Sequence, residues 1–197
     1  MTPLLKLSQF IDAINARVGK AAFWLVLLMT IVSAGNAVVP FTFNYSSNGL
    51  LEIQWYLFAA VFLLCAAYTL QKNEHVRIDV LAGKLSPRGQ AVIDIIGTLF
   101  FLLPMVILVL KLSLPLVAES YRIQEISANA GGLIRWPVKA VLPVGFALLA
   151  LQGISELIKR IAFLAGLIDD PNAKDKGPTA EEELAAAIAA TKAKEGK

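Results

Sequence analysis

The sequence has 197 residues, 57% of them hydrophobic and 17% charged, with a mean hydropathy of +0.66. Soluble domains run nearer ~45–50% apolar and ~25% charged, so an ordinary water-soluble globule is excluded. A single cysteine, Cys65, rules out an internal disulfide or a multi-cysteine metal centre, and a single histidine, His75, rules out haem held between paired imidazoles. No cofactor or metal is therefore expected. The formal net charge is +3, but no stretch combines clustered Lys and Arg with interleaved aromatics, so the basic balance does not point to nucleic acid.

Residues 1–20 place Leu4, Leu7, Ile11, Ile14 and Val18 at steps of three and four, with Lys6, Asp12, Arg17 and Lys20 between them. This predicts an amphipathic helix lying on a membrane surface. From Ala21 to Val39 the chain is almost wholly apolar, and about 19 residues suffice to cross a hydrocarbon core of about 30 Å. Pro40 is expected to end that first span. A cleaved signal peptide is the competing reading, because Ser33-Ala34-Gly35-Asn36-Ala37 is rich in small residues, but a leader holding Asp12 makes a poor signal n-region.

A second span is expected from Ile53 to Gln71, with Trp55 and Tyr68 near its ends. The third opens at Ser86-Pro87, an N-cap followed by proline at the first helical position, and continues to about Val117. Thirty-one residues make about 46 Å of helix, so this element must tilt or protrude. The fourth opens at Trp136-Pro137 and runs to about Ile158, with a juxtamembrane extension toward Leu167. Nine Lys and Arg flank the spans on one side and three on the other, Arg122, Arg135 and Lys139. That bias places both termini in the cytoplasm. The expected fold class is an all-α membrane protein: an amphipathic interfacial helix (1–20), a four-span domain (21–165) and a polar cytoplasmic tail (169–197). In that tail Thr179 and Glu182 could form a capping box.

Ionisable groups within spans are costly and frequently functional. Asp94 lies about 10 Å beyond Pro87 along the third helix and is read as pairing with a neighbouring helix or snorkelling, in preference to relaying protons. Lys111, about 36 Å along, is read as snorkelling to the far interface. Glu52 and Glu156 fall at span ends, and Glu156 with Arg160 has the spacing of a helical ion pair. Pro104 and Pro143 are read as kinks that shape packing. Gly35, Asn36, Gly97, Gly145 and Gly153 are small or polar positions at which helices can approach closely, inside the chain or against a partner. Four spans with so little polar interior suit a partner of a larger assembly better than a carrier acting alone.

The segment Lys72-Asn73-Glu74-His75-Val76-Arg77-Ile78-Asp79-Val80 reads equally as a strand or as a short interfacial helix. As a pattern between the second and third of four spans, His75-Val76-Arg77-Ile78-Asp79 resembles the small membrane subunit of tripartite ATP-independent periplasmic (TRAP) transporters. The resemblance extends to Glu119-Ser120, to Gly131-Gly132-Leu133 with Trp136-Pro137-Val138-Lys139, and to Pro143-Val144-Gly145 followed by Leu148 to Gly153. It covers roughly residues 21–161.

The resemblance implies a complex in the bacterial inner membrane. A periplasmic substrate-binding protein captures an organic acid, a large permease subunit moves it with sodium, and the small subunit braces the large one among membrane lipid without touching substrate. No catalytic residue is implied. Candidate partner contacts are His75, Arg77 and Asp79 on the cytoplasmic side, and Glu119, Arg122, Arg135 and Trp136 on the outer side, where the loop Glu119 to Arg135 offers mixed charges. Two rival readings are a small membrane enzyme using Glu74, His75 and Asp79, and a self-assembling channel with a polar ring at Asp94 or Asn36.

Overall fold

The computed structural model describes residues 3–43, 48–74 and 85–171. Its elements in chain order are α1 (Pro3–Phe43), α2 (Asn48–Gln71), α3 (Pro87–Gly97), a π-helical turn (Thr98–Leu102), α4 (Leu103–Arg122) and α5 (Trp136–Leu164). The π turn joins α3 and α4 without a break, so among the described residues four helical rods are long and apolar enough to cross a membrane. The expected all-α architecture of four membrane helices is thus the one found. The His75–Asp79 motif and the tail from Asn172 onward lie outside the described residues.

The leader and the first span form one helix. A single glycine, Gly19, lies near the expected junction, and one helical glycine costs only about 0.5–1 kcal/mol. The helix also continues past Pro40 to Phe43, so the proline does not end the span as expected: its fixed φ near −65° is compatible with a helix. The leader does not use its apolar stripe as one outward face. Leu4, Leu7 and Phe10 are exposed, whereas Ser8, Ile11 and Asn15 are buried against other helices. A polar stripe gains more from partners than from lying free, because an unsatisfied polar group in an apolar setting costs several kcal/mol.

Ser86 caps α3 as its sequence predicts, its hydroxyl accepting from the Gly89 amide at 3.3 Å, with Pro87 at the first helical position. The π turn follows from Pro104, which has no N–H to give to the turn before it. The chain widens locally, and the Leu103 amide reaches back five residues to the Thr98 carbonyl. Three helices end in the same way. After α2, α4 and α5 the chain turns through a left-handed residue, Asn73, Gln124 and Gly166, and paired amide bonds such as Glu125 to Ser120 and Gln124 to Tyr121 satisfy the last carbonyls.

α5 is the hub, in contact with α1, α2, α3, the π turn and α4, while α1 and α2 pack on each other. Burial runs opposite to that of a soluble bundle. Among the described residues the buried hydrophobic side chains are Ile11, Ala22, Ala67, Ala91, Val106 and Ala162, mostly small, with Pro143, and the other buried side chains are polar or charged; large apolar side chains cover the outside. On α4 the buried line is Val106, Ser113 and Ser120, spaced by two helical turns. Small residues set the distances between rods. A Cβ at Gly145 would sit 2.8 Å from the Leu63 carbonyl oxygen, one at Gly153 2.9 Å from a Leu102 methyl, and one at Gly19 2.5 Å from the Tyr68 ring, whereas Gly35 and Gly97 face open space.

These contacts rank the glycines. G145A forces backbone apart and is expected to destabilise the detergent-solubilised chain by roughly 1–3 kcal/mol. G153A meets the ends of two flexible leucines, Leu102 and Leu103, and is expected to cost less, and G35A to cost nothing or to stabilise through helix propensity. Thermal melting of the three variants checks the order.

Candidate functional site at the two ends of the helices

At the end carrying the α1 leader, polar residues at helical spacing on two rods interlock. Ser8, Asp12 and Asn15 on α1 meet Gln152, Ser155, Glu156 and Lys159 on α5. Gln152, 0% exposed, accepts from the Asn15 amide at 2.7 Å and donates to Asp12 at 2.9 Å and to Glu156 at 3.1 Å. Ser155 gives its proton to Asp12 at 2.7 Å, so Ser8, 2.7 Å away, donates to the Ser155 oxygen. The Lys159 ammonium lies between two carboxylates, 3.2 Å from Asp12 and in contact with Glu156. From α2, Gln71 donates to the Asp12 main-chain carbonyl at 3.1 Å. Beside this cluster Arg160 pairs with Asp94 at 3.3 Å, tying α5 to α3, in line with the helix-pairing role read for Asp94. Glu156 thus takes Lys159 and Gln152, while Arg160 takes Asp94.

At the opposite end the chain between α4 and α5 folds into a hairpin. Ile126 and Ile134 form an antiparallel bridge. The Ser127 amide bonds to the Leu133 carbonyl at 3.0 Å and that of Arg135 to the Glu125 carbonyl at 2.8 Å. The tip is the turn Asn129-Ala130-Gly131-Gly132, closed by the Gly132 amide on the Asn129 carbonyl at 2.9 Å, with Gly131 at φ +70°. This is the turn chemistry its sequence predicts. The carboxylate of Glu52, in the first turns of α2 and 3% exposed, enters the hairpin. It accepts from the Ser127 hydroxyl, the Asn129 amide at 2.7 Å and the Leu133 main-chain N–H at 2.8 Å. Asn48, one turn earlier, donates to the Ala130 carbonyl at 3.1 Å.

The contact candidates fall in different places. Glu119 and Arg122 pair with each other on the exposed last turn of α4, through two hydrogen bonds of 2.9 and 2.7 Å. Arg135 lies 3.8 Å from Glu125, which Lys139 also contacts. Trp136 packs edge-on against Tyr121, ring centres 5.3 Å apart, and joins the ends of α4 and α5. His75, Arg77 and Asp79 are not among the described residues. Glu52, Ser127, Asn129, Ser8, Asn15 and Gln152 were missed as a connected set by sequence reasoning. The spacing 8, 12, 15 against 152, 155, 156, 159 is a helical polar stripe on each rod and was the available signal. Among the described residues no group of three or more His, Cys, Asp and Glu could hold a metal ion. Chemically, both ends are clamps whose carboxylates find ion-pair or hydrogen-bond partners inside the chain.

Lys139, then the Ser120 hydroxyl and the Arg135 charge, hold the Glu125 carboxyl below its ordinary value of 4.5. A depressed folded value means the unfolded chain takes up the proton first. The contribution is full above about pH 4.5 and is lost as pH falls through the folded value. E125Q is therefore expected to lower the melting temperature near neutrality, where the full contribution is lost, and to change it little at pH values below the folded value, so that the acid side of the profile flattens. E52A is expected to speed amide exchange at Leu133 by roughly tenfold or more, since hydrogen bonds to a charged acceptor are among the stronger ones.

Two comparisons bear on identity. The family model described as tripartite ATP-independent periplasmic transporters, DctQ component, matches residues 29–163. A Haemophilus influenzae protein assigned by name to the TRAP transporter small permeases is 34% identical over 79 residues, spanning 40% of this chain and 49% of that relative. The family match takes in the second, third and fourth rods, the hairpin with its bridge and turn, and Glu52. The chain belongs to the DctQ family, the small permease component of TRAP transporters.

Proposed function

We propose that this small permease is the static membrane partner of a sodium-coupled TRAP transporter that imports an organic acid. A large permease subunit carries the solute and the ion, a periplasmic substrate-binding protein delivers the acid, and the present chain braces the large subunit without touching substrate. It sits in the bacterial inner membrane with both termini in the cytoplasm, the leader-end clamp on that side and the hairpin in the periplasm. It performs no catalysis and needs no cofactor.

The observation that carries this reading is where the polar groups lie. The buried charges and amides gather at the two ends of the rods and are bonded to one another, whereas the faces between them are covered by large apolar side chains. A carrier places polar groups near the middle of the bilayer to receive solute and ions. A brace instead needs fixed ends and apolar sides against which a moving neighbour can slide. The lysine-bridged carboxylates and the pinned hairpin provide the first, and the exposed flanks of α1, α3 and α4 provide the second.

Vesicles containing the large permease, receptor and an imposed sodium gradient are expected to lose uptake when this chain is omitted, with the receptor's affinity for its ligand unchanged. Normal uptake without the chain overturns the bracing role. Concentrative import by this chain reconstituted alone overturns it as well.

A further inference from the structure

Resting on the reading that the hairpin end faces the receptor, we propose that docking is made by the hairpin's isoleucines, Ile123, Ile126 and Ile134, held outward by Glu52 as a positioning residue. Sequence alone pointed to the charged residues of this loop as the contact. The geometry points elsewhere. Arg122 gives two of its nitrogens to Glu119, and Glu125 is shared by Lys139 and Arg135, so the obvious charges have partners within the chain. What the hairpin presents is apolar: Ile126 is 63% exposed, Ile123 55% and Ile134 46%, and the bridge sets Ile126 and Ile134 directly opposite each other.

Three features fix the kind of partner. First, the hairpin is preorganised by Glu52, Asn48 and its own turn, so a partner can engage it with little ordering cost. Second, the apolar centre is small and is edged by the exposed Asn129, Ala130 and Gly131 and by the Glu119–Arg122 pair. A polar rim around a small apolar core is the pattern of a non-obligate protein interface. Third, the rod from Pro87 to Arg122 is about 54 Å long against a hydrocarbon core of about 30 Å, and the hairpin follows its last turn. A water-borne protein can therefore reach it. The occupant is the soluble receptor, through an apolar patch on a surface without strong net charge.

The test uses the assembled small and large permeases in vesicles, with receptor titrated at saturating ligand. The double variant I126S/I134S is expected to raise the receptor concentration for half-maximal uptake by about tenfold, with the maximal rate held within about twofold. R122E is expected to shift that concentration by less than about twofold. E52A is expected to raise it as the serine pair does, and combining E52A with the pair to add little, as for residues acting through one surface. An unchanged receptor dependence in I126S/I134S overturns the proposal. So does release of the large permease from a double variant whose own melting temperature is unaltered, because the isoleucines would then belong to the permanent interface. If the double variant does not fold, I123S is judged by the same two criteria. Failure of the bracing role shows separately, as normal uptake with this chain left out.

Discussion

A polar group that faces hydrocarbon has no water to bond, and every other feature of this chain accommodates that fact. Soluble bundles bury leucine and expose glutamate; here the order is reversed. Gln152, in the leader-end cluster of α5, makes three hydrogen bonds, to Asp12 and Asn15 of α1 and to Glu156 on its own helix, while Phe100, Phe101 and Leu112 face outward. Such networks are strong where the local dielectric is low, and they are directional. They fix which face of each rod meets its neighbour, a choice that apolar packing alone leaves open when lipid tails compete on equal terms.

The same constraint explains why α5 is the hub. A rod that carries Gly145 and Gly153 can be approached closely on two sides, by Leu63 of α2 and by Leu102 at the π turn. One that also carries Gln152, Ser155, Glu156, Lys159 and Arg160 can be bonded on two sides, by α1 and by α3. Close approach and polar bonding thus meet on one helix. The remaining rods keep broad apolar faces for whatever surrounds them.

Much of the fold was legible before any coordinates. Runs of uncharged residues gave the four membrane helices, Ser86-Pro87 gave the start of the third, and Asn129-Ala130-Gly131-Gly132 gave the turn of the hairpin. What stayed hidden was which side of a helix matters. In the leader, Leu4 and Leu7 draw the eye as part of an amphipathic stripe, because in water the apolar face is the one that packs, yet both are exposed. In this setting Ser8, Asp12 and Asn15 are the packing face, and the leader joins the first span instead of lying apart from it. Glu52 was hidden for a different reason. It is 75 residues from Ser127 and 81 from Leu133 in the chain, and no local spacing rule connects a lone carboxylate at a helix start to a hairpin so distant. The charged residues of that hairpin were visible, but not that Glu119 pairs with Arg122 and Glu125 with Arg135 and Lys139.

The widened turn at Thr98–Leu102 bears on how this chain can vary in length. It holds one residue more than a regular helix would need to bring both flanks into phase. Loss of a residue there would let the turn tighten and leave Asp94 and Val106 on the faces they now occupy. Loss of a residue elsewhere in the rod would swing everything beyond it by about 100°, carrying Val106, Ser113 and Ser120 off the hub or Asp94 away from Arg160. One-residue gaps among related chains should therefore gather at this turn, with the proline that created it lost in the same lineages.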